Sequence, residues 1–148
     1  MSRRTPNEFE QDRRRLTRLM KRILMQSRIL MDDKLRPYGI TSAQIRLLSA
    51  IRAAPGSSGA ELARQCEVTP QTAQALIQRA EKAGWIARRK DSANERILTA
   101  SLTPAGERLL KTADRILRGI ETKLWKNIAP GEVRNLAAVL ENCLLDIG

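Results

Sequence analysis

Between Thr69 and Arg79 the chain reads TPQTAQALIQR, and the side chains of this stretch suit one kind of chemistry. Ala73, Leu76, Ile77 and Ala80 recur at helical spacing as an inward stripe, which leaves Gln71, Thr72, Gln74, Ala75, Gln78 and Arg79 facing outward. A solvated helix face ordinarily mixes Lys and Glu. This one carries Gln71, Thr72, Gln74 and Gln78, all uncharged hydrogen-bonding groups. Amides of that kind bond bidentately to adenine in a major groove, and hydroxyls near a helix N-terminus suit phosphate oxygens. Taken alone, the segment is equally well read as a Gln-rich surface helix.

Other chemistries are poorly supplied. The chain has no His, so general acid–base work would fall to carboxylates, Lys or Tyr38, and there is no Gly-rich phosphate loop, metal pair or nucleophile motif. Asp32 and Asp33 are adjacent, and neighbours on a helix point to different sides. Cys66 and Cys143 lie far apart on expected apolar helix faces, which excludes a disulfide framework and a zinc site and leads us to expect two buried, inert thiols. Neither enzyme activity, nor a cofactor, nor a metal is expected.

The elements that must present the Gln/Thr face can be read on either side of it. Thr69 is a good N-cap and Pro70 a good first helical residue. Before them, Leu62, Ala63 and Cys66 share one face of a short helix that opens behind Ser57/Ser58 and must stop near Glu67. After them, Gly84 suits a helix end, and Ile86–Lys90 and Ile97–Leu102 read as strands around a polar tip, Asp91 to Arg96, edged by Arg88, Arg89 and Lys90. Helix, turn, helix and basic-edged hairpin describe a winged helix-turn-helix, whose second helix meets a major groove while the hairpin tip reaches minor groove or backbone.

The same residues carry a resemblance. GITSAQ (39–44), ELAR (61–64), VTPQT (68–72), EKAGWI (81–86) and Asp91…Arg96…SLTPAG (101–106) follow in the order and spacing of MarR-type transcriptional regulators, and the likeness runs from about Arg14 to the C-terminus. The resemblance implies a dimeric winged-helix repressor or activator, with repressor the favoured sign, that binds pseudo-palindromic operators in double-stranded DNA and often responds to small aromatic or phenolic compounds. By position it implies DNA contacts from Thr69, Pro70, Gln71, Thr72, Gln74 and Gln78, from Arg79 on the backbone, and from Arg88, Asn94 and Arg96 in the wing. It also implies a ligand crevice beside the first two helices, for which Met20, Tyr38 and Ile45 are the candidates; simple core is the competing role for these three. Three positions depart from the pattern. Glu67 replaces a common Gly, so a looser or slightly strained turn is expected there; Ala75 replaces a common Arg, and Glu95 a second basic residue in the wing.

Composition agrees with a polyanion partner. The chain of 148 residues carries a formal charge of +11, which attracts nucleic acid and makes binding salt-dependent. No apolar run approaches the roughly 20 residues that span a bilayer, and MSRRTPNEFEQDRRR lacks a signal peptide's apolar segment, so a cytoplasmic protein without membrane attachment is expected. A non-specific architectural nucleic-acid binder remains the alternative function; it would share the charge without needing the Gln/Thr face.

Taken in order, residues 1–8 read as a basic arm in which Arg3 and Arg4 could touch DNA, followed by a long helix from about 10 to 36. That helix has a wide apolar band: Leu16, Leu19, Ile23 and Leu30, with Met20, Leu24, Met31 and Leu35. Arg13, Arg14, Arg15, Arg18, Lys21 and Arg22 surround its first half, read mainly as a solvated face. Pro37-Tyr38-Gly39 breaks it, and Thr41 or Ser42 caps a helix that buries Ile45, Leu47, Leu48 and Ile51. Beyond the wing, Thr103-Pro104 starts a helix with Leu109, Ala113, Ile116, Ile120, Leu124 and Ile128 inward. Pro130-Gly131-Glu132 restarts the chain into a last helix with Val133, Leu136, Leu140, Cys143 or Leu144, and Ile147 on one face. The expected fold is one domain, 1–148, mainly α with a small β-hairpin wing. A winged helix-turn-helix unit (about 41–102) is flanked by dimerisation helices (about 10–36 and 104–148), because an apolar band that wide exceeds the needs of one small chain.

Overall fold

A computed structural model describes residues 6–148, so Arg3 and Arg4 lie outside the described residues. The elements are α1 (Pro6–Leu35), a 3-10 turn (Arg36–Tyr38), α2 (Ser42–Ala53), β1 (Ser57–Ser58), α3 (Gly59–Gln65), α4 (Pro70–Lys82), β2 (Ile86–Lys90), β3 (Leu98–Leu102), α5 (Pro104–Trp125) and α6 (Pro130–Ile147). Among the described residues α1 runs from Pro6, ahead of the expected start near Glu10. It ends at Leu35, one residue short of the expected end, as the 3-10 turn takes Arg36 and Gly39 adopts a left-handed φ of 68°.

α2 to α4 follow from their caps. Thr41 and Ser58 each accept a bond from the backbone of the third helical residue, whose own side chain, Gln44 or Glu61, bonds back to the cap's N–H. These reciprocal pairs satisfy donors that a helix start otherwise leaves open. Both carry a Ser/Thr-x-x-Gln/Glu signature that was readable in the sequence and not used there.

The core forms where these helices meet. Leu35, Leu47, Leu48, Ile51, Leu62, Ile77 and Leu110 are fully enclosed, contributed by the end of α1 and by α2, α3, α4 and α5. Leu110 is the inward residue of α5 that the spacing argument passed over; Leu109 is half-buried beside it, and Leu124 and Ile128 are exposed. The sheet has three strands, not the two of the expected hairpin. β3 lies between β1 and β2, with Ser57 opposite Ala100 and Arg88 on Ala100's other side, all antiparallel. A two-residue strand has no periodicity to betray it, and Ser57–Ser58 is held only because β3 offers its free edge. β3 itself starts at Leu98, as Ile97 turns into the tip with its N–H on the Asn94 carbonyl at 2.9 Å.

Beyond this core the long helices are bare. Leu16, Leu19, Met20, Ile23 and Leu24 of α1 are exposed, and only Met31 and Leu35 of the expected band are buried. α6 has no buried residue at all. Cys143 therefore corrects the expectation of two buried thiols: it is exposed, because within one chain nothing covers α6 past the half-buried Leu140, whereas Cys66 is buried at the end of α3. Burial pushes the Cys66 thiol above its ordinary value, so it stays protonated and unreactive at neutral pH.

Candidate nucleic-acid interface

α4 has the two faces that its sequence requires. Ala73, Ile77 and Ala80 are buried and Leu76 is half-buried; Gln71, Thr72, Gln74, Ala75, Gln78 and Arg79 are exposed, as are Thr69 and Pro70. Thr69 caps the helix by accepting the Thr72 N–H at 3.1 Å, and the two hydroxyls lie 2.9 Å apart. Part of their hydrogen-bonding capacity is thus spent on building the helix start. The Gln side chains carry no such duty.

The turn that sets α4 against α3 explains the unusual Glu67. At the end of α3 the Val68 N–H reaches the Ala63 carbonyl and the Glu67 N–H reaches the Arg64 carbonyl, the paired bonds of a helix ended by a left-handed residue. Glu67 is that residue, at φ 53°, and the only described non-glycine with positive φ. α4 ends in the same way, with Trp85 N–H on the Ala80 carbonyl and Gly84 N–H on the Glu81 carbonyl, but there the left-handed position holds Gly84 at φ 76°. The expected strain at Glu67 is thus located in one backbone torsion, at a cost of about 1–2 kcal/mol.

The wing is shaped from its tip inward. The Asp91 carboxylate accepts the N–H groups of Ala93 and Asn94, and the Asn94 side-chain oxygen accepts the Arg96 N–H at 3.1 Å. Arg96 and Asn94 are exposed; Arg88 is half-buried two pairs before the last ladder pair, Lys90 with Leu98. Asn94 thus shapes the turn that presents Arg96, and Arg88 sits well below the tip.

The wing, α4 and α5 are fastened at one point. Thr103 Oγ1 donates to the Gly84 carbonyl at 2.6 Å and accepts the Gly106 N–H, while the Thr103 N–H donates to the Trp85 carbonyl at 3.0 Å. Gly106 is buried against that same carbonyl so closely that a Cβ would lie 2.1 Å from the oxygen. Asp32 accepts the Ser42 N–H at 2.6 Å and Asp114 pairs with Arg52 at 3.0 Å, which ties α1 and α5 to α2. The Asp114 hydrogen bond raises the pKa of the Arg52 guanidinium. None of Asp32, Asp114, Thr103 or Gly106 had been singled out for such a role, because each acts through a partner distant in sequence.

Met20, Tyr38 and Ile45 are not gathered into one crevice. Ile45 is in the core, Tyr38 is half exposed in the turn after α1, and Met20 lies on bare α1 about 22 Å of helix before Leu35. An apolar cavity of about 500 Å³ lies instead between α1 and α5, walled by Leu19, Ile23, Leu30, Ile120 and Leu124, with Arg22 and Lys123 at its edge. Gln44 was another unforeseen feature: it is buried, with its Nε2 unpartnered inside the protein. Among the described residues no cluster of His, Cys, Asp or Glu could hold a metal ion, and no helix is long and apolar enough to cross a membrane.

A three-stranded wing beside a capped helix with outward amides defines a winged helix-turn-helix protein. Comparison narrows the class: the chain belongs to the MarR family, whose model matches residues 38–97. It is 33% identical over 107 residues to the HTH-type transcriptional repressor Rv2887 of Mycobacterium tuberculosis, covering 72% of this chain and 77% of the relative. A structure of Rv2887 with salicylic acid superposes with a TM-score of 0.67 at 30% identity, over 84% of this chain and 93% of that one. A single-residue mutant of MarR from Escherichia coli, complexed with operator DNA, matches with a TM-score of 0.78 at 25% identity, over 87% and 93%.

Proposed function

We propose that this protein is a cytoplasmic, homodimeric transcriptional repressor that reads a pseudo-palindromic operator through α4 and is released by a small aromatic or phenolic effector. The observation that carries the reading is the outward face of α4, where exposed Gln71, Gln74 and Gln78 stand free of structural duty on a helix capped and backed by the core. Thr69, Pro70 and Thr72 meet the duplex at the helix start, Arg79 grips the backbone, and Arg96, presented by the Asn94 turn with Arg88 below it, reaches beyond the groove. The DNA-binding unit is α2 to β3. The dimer forms from α1, α5 and α6.

Two of the solved relatives support the ligands proposed. One MarR structure contains operator DNA and the Rv2887 structure contains salicylic acid. The clasp at Thr103 and Gly106 supplies the coupling. It joins the end of α4 to the start of α5, so a ligand that favours a dimer with mismatched α4 spacing shifts the population off DNA.

Selection from a random duplex pool tests the reading. The expected product has two-fold related half-sites about one helical turn, 10 bp, apart, bound at least about 10³-fold more tightly than random duplex, with occupancy lowered by salicylic acid. Equal affinity for every sequence, governed by salt alone, would establish the architectural alternative instead.

A further inference from the structure

The proposed function, on which this inference rests, uses α4, the wing and the apolar side of α1. It leaves the other side of α1 unused. The ten residues Arg13 to Arg22 hold six cations and no carboxylate. At 100° per residue, Arg14, Arg18 and Lys21 fall opposite Leu16, Leu19, Met20 and Ile23, Arg15 lies at the edge between the two faces, and all four are exposed. Arg14 donates to Glu10 at 2.5 Å, one turn earlier, but Arg14 and Arg18 also stand one turn apart, where like charges destabilise a helix. Arg14 and Arg18 both line two shallow depressions here, one shared with Arg13 and Thr17 and the other with Gln11, Arg15 and the carboxylate of Asp12, so the cations are in excess there rather than alone. Such a row, spread over about 10 Å of helix axis from Arg14 to Lys21, matches an extended polyanion better than a single small anion.

Its place separates it from the reading helix. The far end of α1 borders α4, where Asp32, Arg36 and Thr41 share a depression with Arg79. Counting back along the helix, Lys21 to Arg14 lie about 16–27 Å beyond Asp32. A basic amphipathic helix could also lie on an anionic membrane, but that needs the apolar face free to enter lipid, and in the dimer a second copy covers that face.

We propose that the Arg14–Arg15–Arg18–Lys21 flank of α1, centred opposite the apolar face and remote from α4, is a second, sequence-independent surface for duplex DNA, by which an operator-bound dimer holds another DNA segment. Full-length protein is loaded on beads carrying a duplex of about 30 bp with the selected sequence, or a random one if selection returns none, and a fluorescent random duplex is then offered. Wild-type protein captures the second duplex. The R15Q/R18Q/K21Q variant, its fold and dimer checked by circular dichroism and sedimentation, stays on the beads but captures at least about tenfold less, with a salt slope smaller by about 2.7. Equal capture by variant and wild type, or none by wild type, overturns the proposal. Preferential binding of wild type to phosphatidylglycerol vesicles, lost in the variant, also overturns it and assigns the flank to a membrane. Failure of the functional reading is distinct: it shows on the beads as indifference to the sequence of the tethering duplex.

Discussion

Gln71 and Arg96 divide the binding by kind of contact. A bidentate amide discriminates between bases, whereas a guanidinium at the wing tip neutralises phosphate whatever the sequence. Gln71→Ala is expected to lose about 1–3 kcal/mol of discrimination at one base pair of each half-site. Arg96→Ala is expected to weaken cognate and random duplex alike and to lower the salt slope by about 1. Anisotropy titrations on both duplexes over a salt series separate the two, and indistinguishable losses would mean that α4 is not the reading helix. Glu95, beside Arg96, leaves the wing with one cation at its tip, which makes the single substitution more consequential. The reciprocal cap at Ser58 works at the same scale. Hydrogen bonds from Ser58 hold the Glu61 carboxyl below its ordinary pKa, so the cap is complete above the ordinary carboxylate range and is lost as pH falls through the depressed value.

At the scale of elements, the junction of α4, wing and α5 rests on a residue without a side chain. Gly106 lets α5 start directly against the Trp85 carbonyl, and Gly106→Ala forces either that carbonyl or the start of α5 to move. The expected cost is about 1–3 kcal/mol of unfolding free energy. Gly119→Ala, on the same helix with nothing within 4 Å of the added carbon, is expected to cost nothing. Urea denaturation of both variants measures the difference, and equal stabilities would show that the contact is relieved without strain. Because the same contact joins the start of α5 to the end of α4, Gly106→Ala is also expected to weaken the release of DNA by salicylic acid, read by the same anisotropy titration.

At the scale of the molecule, one chain is visibly incomplete. Leu24 is 71% exposed, Leu144 65% and Ile147 84%, on helices that otherwise show regular amphipathic spacing. A single soluble chain rarely leaves a contiguous apolar surface of that kind open. The expected sedimentation mass is therefore twice that of one chain. Leu144→Asp, which places a charge twice in a symmetric interface, is expected to raise the dissociation constant at least about a hundredfold. A wild-type protein that sediments as a single chain at micromolar concentration would remove the geometric basis for reading two half-sites.

Much of this was legible in residue order. Helix starts follow from Thr-Pro pairs and helix ends from Gly39 and Gly84, because these residues fix the local backbone. The two faces of α4 follow from a period that depends on nothing outside the helix. The third strand, the enclosure of Leu110, the buried Gln44, the need for glycine at 106 and the exposure of Cys143 did not follow. Each is decided by which distant segment lies alongside, and periodicity says only that a face is apolar, not what meets it. The sequence by itself therefore determined the elements and the chemistry that α4 offers, since both are properties of neighbouring residues. Only the tertiary structure decided which apolar faces one chain can cover and which are left for another, because burial is a property of packed surfaces.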